Sequence, residues 1–288
     1  MVTVSIVSMV KNEENFIEDA VKSILSQDVN LELIIVDDKS DDNTLNILKG
    51  LAEQHPNMSV MINYGQGKVA AFLQGCAVAK GDYLAFFAGD DIMPKGSLKQ
   101  RLEVISQMAS PSVTLSKIEV MSEDQKIDGL VIPKAKDKGN PSGACIMIDR
   151  EAAKYLLDIP STLPNEDTWM DLCVTYLKFL NVRPDNIIAC KWRVHAGNSI
   201  SIKQGFEAFN VKFGVRMNAM SLFLDKYDSL LDEDAKYELK GLIECENFRK
   251  QGNIVGIILT SANLREKLKF SLYSNKYLFK IRSYFRPI

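Results

Sequence analysis

The chain has 288 residues, 46% of them hydrophobic and 25% charged, which is enough apolar material for one large α/β domain or a domain with an appendage. Five cysteines (Cys76, Cys145, Cys173, Cys190, Cys245) without a CxxC pair indicate neither a zinc ribbon nor a disulfide framework, and they match a reducing cytoplasm. No run of eighteen apolar residues exists and no basic leader precedes an apolar stretch after Met1, so neither an ordinary membrane span nor a signal peptide is expected.

Val2 to Val10 is β-branched and apolar and predicts a first strand, broken by Lys11 and Asn12. Glu13 and Glu14 fall where the first turn of a helix favours negative charge, and Phe16, Ile17, Ala20, Val21, Ile24 and Leu25 recur at helical spacing to about Gln27. Leu31 to Val36 predicts a second buried strand, ending in Asp37 and Asp38. Ser40, Asp41 and Asp42 offer capping oxygens to a helix carrying Leu45, Ile47, Leu48 and Leu51. A short strand at Ser59 to Asn63, a turn with Gly65 and Gly67, and a small-residue helix from Lys68 to about Lys80 follow. Tyr83 to Phe87 is then a fourth, fully apolar strand.

Strand and helix therefore alternate to about residue 108, which predicts a mostly parallel sheet with helices on both faces. From Ser112 the pattern becomes a meander: Val113 to Met121, Ile127 to Pro133 and Ala144 to Ile148. A short helix at Glu151 to Leu157, a helix opened by Glu166 and Asp167 and running through Phe179, and a last strand at Asn186 to Val194 complete this part. Beyond Gln204 only helical patterns remain, roughly Phe206 to Tyr227, Asp232 to Gln251 and Leu264 to Arg282. The expected division is a domain of residues 1–204 followed by a helical region of residues 205–288.

Asp90 and Asp91 follow Gly89 at the end of the fourth strand. Adjacent carboxylates repel, and a divalent cation with oxygen ligands relieves that repulsion; the glycine lets a ligand approach the backbone. The plainer reading is a turn that caps the helix near Ser97. Ligands of parallel sheets collect beyond the carboxyl ends of the strands, which gathers Lys11, Asp38, Lys68 and Asp90 around one crevice.

Four blocks in order resemble the family 2 glycosyltransferases, which have the GT-A nucleotide-sugar-binding fold. They are VTVSIVSMVKNEENFIEDAVKSILSQ (2–27), LIIVDDKSDDNT (33–44), GKVAAFLQGCAVAKGDYLAFFAGDD (67–91), and NEDTWM (165–170) with WRVHAGNSIS (192–201). The resemblance implies a UDP-sugar donor, with Asp38 accepting from the uracil ring, Lys68 facing the nucleotide, and Ser5, Met9 and Asn12 lining the same strand end through backbone atoms. It implies Mn2+ or Mg2+ on Asp90, with Asp91 either supporting that site from behind the ligands or serving as an alternative ligand, although the family's commoner Asp-x-Asp-Asp has Ala88 in its first position here. His195 is then a further ligand or a phosphate contact, or else an ordinary histidine. Asp167, with Glu166 beside it, matches the family's catalytic base; capping of the following helix is the compatible alternative.

The implied activity is inverting transfer of a sugar to a hydroxyl of a glycan or lipid-linked acceptor in cell-surface polysaccharide assembly. A non-catalytic nucleotide-sugar or glycan-binding module is the competing reading. The net charge of −2 divides into −6 over residues 1–205 and +4 over residues 206–288, and an acidic body argues against nucleic acid as a partner. From Leu264 the chain carries seven Lys and Arg against one acid, interleaved with aromatics. Either residues 264–288 lie on an anionic membrane surface, making a cytoplasmic protein peripheral at the inner face of the cell membrane, or they pack on the body with a solvated basic face.

Overall fold

The computed structural model describes residues 3–195 and 205–285, with side chains to residue 281. By packing, the chain forms two compact units. The first is Met1–Ser161 with Lys178–His195, and the second is Thr162–Leu177 with Ala196–Ile288. The expected cut at 204/205 divides the sequence; the packing groups residues 162–177 with the later helices.

The first unit is an eight-stranded sheet with helices. Its strands are β1 (Val4–Val10), β2 (Leu31–Asp37), β3 (Met58–Ile62), β4 (Tyr83–Ala88), β5 (Ser112–Met121), β6 (Val131–Ile132), β7 (Ile146–Asp149) and β8 (Asn181–Arg193). Its helices are α1 (Ile17–Leu25), α2 (Thr44–Gln54), α3 (Lys68–Val78), α4 (Ser97–Ile105) and α5 (Arg150–Leu156). The strand order is β3-β2-β1-β4-β7-β5-β6, with β8 on β5. β3, β2, β1 and β4 run parallel, as the alternation with helices predicts.

Strand periodicity of two sorts the side chains of β1 onto two faces. Val4, Ile6 and Val10 join Ile17, Val21 and Ile24 of α1, Leu48 of α2 and Leu98 of α4 in one core. Val7 points the other way: a Cβ on Gly75 of α3 would stand 2.6 Å from Val7 Cγ1 and 3.1 Å from Val36 Cγ2, so a glycine lets α3 lie close on that face. Helices thus cover both faces.

The expected meander is replaced by an insertion. β7 lies between β4 and β5, antiparallel to both, and β6 keeps only two residues beside Ile118 and Glu119. β8 starts at Asn181, earlier than the expected Asn186, and pairs parallel with β5. The register breaks after Leu115↔Pro184, where a residue without a backbone donor is accommodated at an irregularity.

The second unit is helical: α6 (Asp167–Tyr176), α7 (Phe206–Tyr227), α8 (Glu233–Lys250), α9 (Ile254–Leu259), α10 (Leu264–Leu272) and α11 (Lys276–Phe285). Trp169 of α6 is fully buried, its ring 5.4 Å from Phe223 and 5.7 Å from Tyr227 of α7. The expected helix from Leu264 to Arg282 is two, because Asn275 Oδ1 accepts from the N–H groups of Tyr277 and Leu278 and starts a new helix. α9 has no counterpart in the sequence reading. Phe270 and Tyr273 turn inward onto Phe209 and Phe213 of α7 and are buried, so these aromatics of the basic tail are core residues. No helix of the described residues is long and apolar enough to cross a membrane.

Candidate active site

The parallel registers Val10↔Asp37 and Met9↔Ala88 bring the carboxyl ends of β1, β2 and β4 to one edge of the sheet. The loops that follow are tied to each other. Asn12 N–H donates to Ser40 Oγ (2.9 Å), Asn12 Oδ1 accepts from Asp41 N–H (3.0 Å), and Glu13 N–H donates to Thr44 Oγ1 (2.7 Å). Glu14 Oε2 accepts from Asn43 N–H at 2.9 Å. Asn12 (φ 57°) and Lys39 (φ 59°) stand in the left-handed region, which asparagine tolerates and lysine enters only when its surroundings hold it there. The backbone on either side of Lys39 is fixed by Asp38 N–H donating to Val10 O (2.8 Å) and Ser40 N–H donating to Asp37 Oδ2 (3.0 Å), while its Nζ reaches Gly65 O at 2.8 Å.

Asp38 Oδ1 accepts from Nδ2 of buried Asn63 at 2.6 Å, and Asn63 Oδ1 accepts in turn from Gly65 N–H at 2.8 Å. These contacts form one side of an open cleft of about 740 Å³ lined by Lys11, Asp38, Lys39, Gly65, Gln66, Gly67 and the exposed ring of Tyr64. Lys68 is the first residue of α3, immediately after the cleft-lining Gly67. Asn63, Lys39 and Tyr64 were not singled out in the sequence. The Gly65/Gly67 turn was the signal that a loop approaches there.

The acidic end of β4 meets the end of β8. Ile92 and Lys191 exchange backbone hydrogen bonds (3.2 and 2.8 Å), which carries residues 193–195 past the Gly89–Asp91 turn. Arg193 Nε donates to Asp90 O (2.9 Å), its N–H donates to Asp91 Oδ1 (2.9 Å), and its guanidinium lies 4.8 Å from the Phe16 ring centroid. His195 Nε2 is 3.1 Å from Asp90 Oδ2, and its ring packs 4.6 Å from Phe16. Of the block 192–201, residues 196–201 lie outside the described residues.

Glu13 completes the cluster: one ligand atom from each of Glu13, Asp90 and His195 lies within 4.8 Å of the others. The sequence offered Glu13 only as a first-turn acid. Helix α1 starts at Ile17 instead, and Glu13 caps it through its carbonyl, which accepts from the N–H groups of Phe16 and Ile17, leaving the carboxylate to face Asp90. Asp91, expected either to support the site from behind or to be an alternative ligand, is outside this trio. It is buried, with one oxygen committed to the Arg193 backbone.

Burial pushes the Glu13 carboxyl up to about 8, helped by the charges of Asp90, Asp91 and Asp42. Burial, then the charge of Asp90, raises Asp91 as well. Two carboxylates and an imidazole fit a divalent cation, and the nitrogen donor suits Mn2+ better than Mg2+.

Gly89 packs at the centre of this turn. A Cβ there would meet Val10 Cγ1 at 2.7 Å, Ile17 Cδ1 at 3.1 Å and Glu13 Cγ at 3.3 Å. Gly89→Ala is therefore expected to destabilise the fold by about 1–3 kcal/mol in urea unfolding. Met9, half-buried, sits at the carboxyl end of β1 as expected. Ser5 does not: it stands at the other end of the strand, where its Oγ donates to Glu32 Oε1 (2.6 Å) and accepts from Gly81 N–H (2.7 Å). Five residues of strand span about 16 Å, too far for a ligand at the crevice.

Asp167 and Glu166 belong to the second unit. Asp167 opens α6 and accepts from Asn165 Nδ2 at 3.3 Å, and Glu166 is the buried residue before it.

The family model for glycosyl transferase family 2 matches residues 5–127, the stretch that supplies Lys11, Glu13, Asp38 and Asp90. The putative teichuronic acid biosynthesis glycosyltransferase TuaG of Bacillus subtilis is 28% identical over 189 residues, covering 59% of this chain and 71% of the relative. Three further curated relatives are matched over 66%, 32% and 34% of their own lengths, so the chain spans about a third to two thirds of them. Among solved structures, S. aureus TarS 1–349 in complex with UDP-GlcNAc has 18% identity and a TM-score of 0.63, covering 96% of this chain and 81% of that one. The mannosyltransferase PcManGT of Pyrobaculum calidifontis with GDP-Man and Mn2+ has 14% identity and a TM-score of 0.57, covering 96% and 82%. The fold is thus that of the GT-A glycosyltransferases, and the strands and loops that build the crevice lie in the stretch that matches glycosyl transferase family 2.

Proposed function

We propose that the chain transfers a sugar from a UDP-sugar donor to a hydroxyl of a glycan or lipid-linked acceptor in cell-surface polysaccharide assembly, with inversion at the anomeric carbon. The observation that carries this reading is the open cleft at one sheet edge, with Asp38 on Asn63 as one part of that edge and Glu13, Asp90 and His195 as the other. Asn63 occupies one oxygen of Asp38, and the carboxylate keeps capacity to accept from the N3–H of uracil. Lys11 and Lys68 supply positive charge toward the diphosphate. TarS with UDP-GlcNAc supports a uridine donor, and TuaG supports a polysaccharide product.

Glu13, Asp90 and His195 would hold Mn2+, whose chemistry is to neutralise charge on the leaving diphosphate. Asp167 takes the proton of the attacking hydroxyl, with Glu166 beside it. All five cysteines are buried, which is consistent with a reducing cytoplasm.

The test is calorimetric titration of UDP and GDP with and without Mn2+, followed by UDP release from a panel of UDP-sugars. Tighter UDP binding in Mn2+ and release from at least one sugar support the proposal. Preference for GDP overturns the donor assignment, and binding without turnover on any sugar or acceptor favours the binding module.

Proton competition gives a further expectation. Glu13, at about 8, holds a proton at neutral pH, so Mn2+ affinity rises about tenfold per pH unit below 8 and flattens above it, and Glu13→Gln removes the slope. Without the cation the sign reverses for stability. Between the ordinary carboxylate value of 4.5 and about 8 the folded state binds a proton that the unfolded chain has released, so the melting temperature falls as pH rises through that window. A melting temperature that is flat with pH, or rises, would contradict the assignment.

A further inference from the structure

We propose that the edge formed by α9 and α10 in the second unit is a docking surface for an anionic lipid bilayer. α9 has only six residues, yet one side of it is firmly committed. A Cβ on Gly256 would stand 2.4 Å from the Phe248 ring of α8, Ile257 is fully buried, and Asn253 Oδ1 accepts from Gly256 N–H at 2.9 Å. With that side used, Val255, Ile258 and Leu259 recur at i, i+3 and i+4 on the other. α10 packs beside α9 and adds Leu264 and Leu268, one turn apart. These five aliphatic side chains are between 58% and 82% exposed. Scattered exposed leucines need no explanation, but five on two adjoining helices mark an interaction surface.

Charge selects the occupant. From Leu264 onward the chain has seven Lys and Arg and a single acid, and that acid, Glu266, is engaged by Lys269 at 2.7 Å. Arg265 and Lys267 lie on α10 itself, and Lys276 and Lys280 on α11, which packs against it. A second copy of the chain would bring like charges together over the apolar residues. A bilayer with anionic headgroups satisfies both features, since aliphatic side chains enter the acyl boundary while cations meet the headgroups. The buried Phe270 and Tyr273 take no part; the inserting residues are the aliphatics of α9 and α10.

The inference stands apart from sugar transfer, and its test uses the whole chain. It is sedimented with phosphatidylcholine vesicles alone and with vesicles that also contain phosphatidylglycerol. Binding to the anionic vesicles only, weakened by salt, is expected. Leu259→Ser with Leu264→Ser lowers that affinity about tenfold or more, and Lys276→Glu with Lys280→Glu lowers it about fivefold per charge, with circular dichroism unchanged because all four side chains are exposed. The proposal is overturned by no binding to anionic vesicles, by equal binding to neutral ones, or by variants that bind like the parent. It is also overturned by a concentration-dependent dimer that the serine variant dissociates, which would make this face an interface between copies of the chain.

Discussion

Replacing Asp90 with Asn lowers kcat/KM for sugar transfer by about 10³-fold or more, and Mn2+ binding falls with it. The substitution keeps the side chain's size and its capacity to hydrogen-bond His195 Nε2, 3.1 Å away, so the β4–β8 junction persists. What is lost is the negative charge facing the Glu13 carboxylate and the imidazole. A divalent cation bound by charged oxygens contributes several kcal/mol to a leaving group that gains charge, and each 1.4 kcal/mol is about tenfold in rate. Metal-free UDP binding through the Asp38 cleft stays as in the parent, because Asp90 does not line it. Calorimetry with Mn2+ and with UDP separates the two effects. Asp90 also raises Glu13 through its charge, so the variant shifts the midpoint of the Mn2+ affinity profile to lower pH. Unchanged Mn2+ affinity in Asp90→Asn would remove Asp90 from the metal site and return the acidic pair to a turn.

Asp167→Asn lowers kcat by about 10²–10⁴-fold, the usual contribution of general-base assistance, while the donor KM and Mn2+ affinity stay near the parent's. The variant isolates basicity from structure. Asparagine is as acceptable as aspartate at a helix start, and α6 is held by the fully buried Trp169 against Phe223 and Tyr227, contacts the substitution does not touch. Loss of the first-turn charge costs about 0.3–1 kcal/mol of helix stability, readable as a small melting shift. Transfer as fast as the parent's, with only that shift, would leave Asp167 a first-turn charge of α6. A rise in donor KM with kcat preserved would make it a binding group.

Much of the fold was legible because its elements are locally determined. The apolar runs of β1, β2 and β4 and the 3.6-residue spacing in α1 and α7 say strand or helix without knowledge of partners. Local pattern is silent where an element depends on something distant. β7 inserts antiparallel between β4 and β5, and nothing within Ile146–Asp149 names those neighbours. α9 is too short to show a period, and it exists because Gly256 lets it lie against Phe248. Ser5 and Asn12 are expected at one strand end; β1 places Ser5 at its start and Asn12 just past its carboxyl end, where Asn12 also ties two loops.

The sequence by itself determined the alternation of strands and helices, the acidic turn Gly89–Asp91, and the family resemblance carried by its blocks, since each depends on side-chain type and short spacing. Only the tertiary structure decided which acids lie together. Glu13 and Asp90 are 77 positions apart and His195 a further 105, and no local pattern links them. They meet because parallel strands end on one edge and β8 is joined backbone to backbone to the segment after β4. Burial then raises Glu13 to about 8, a property that exists only where the folded chain has removed water from around the carboxylate.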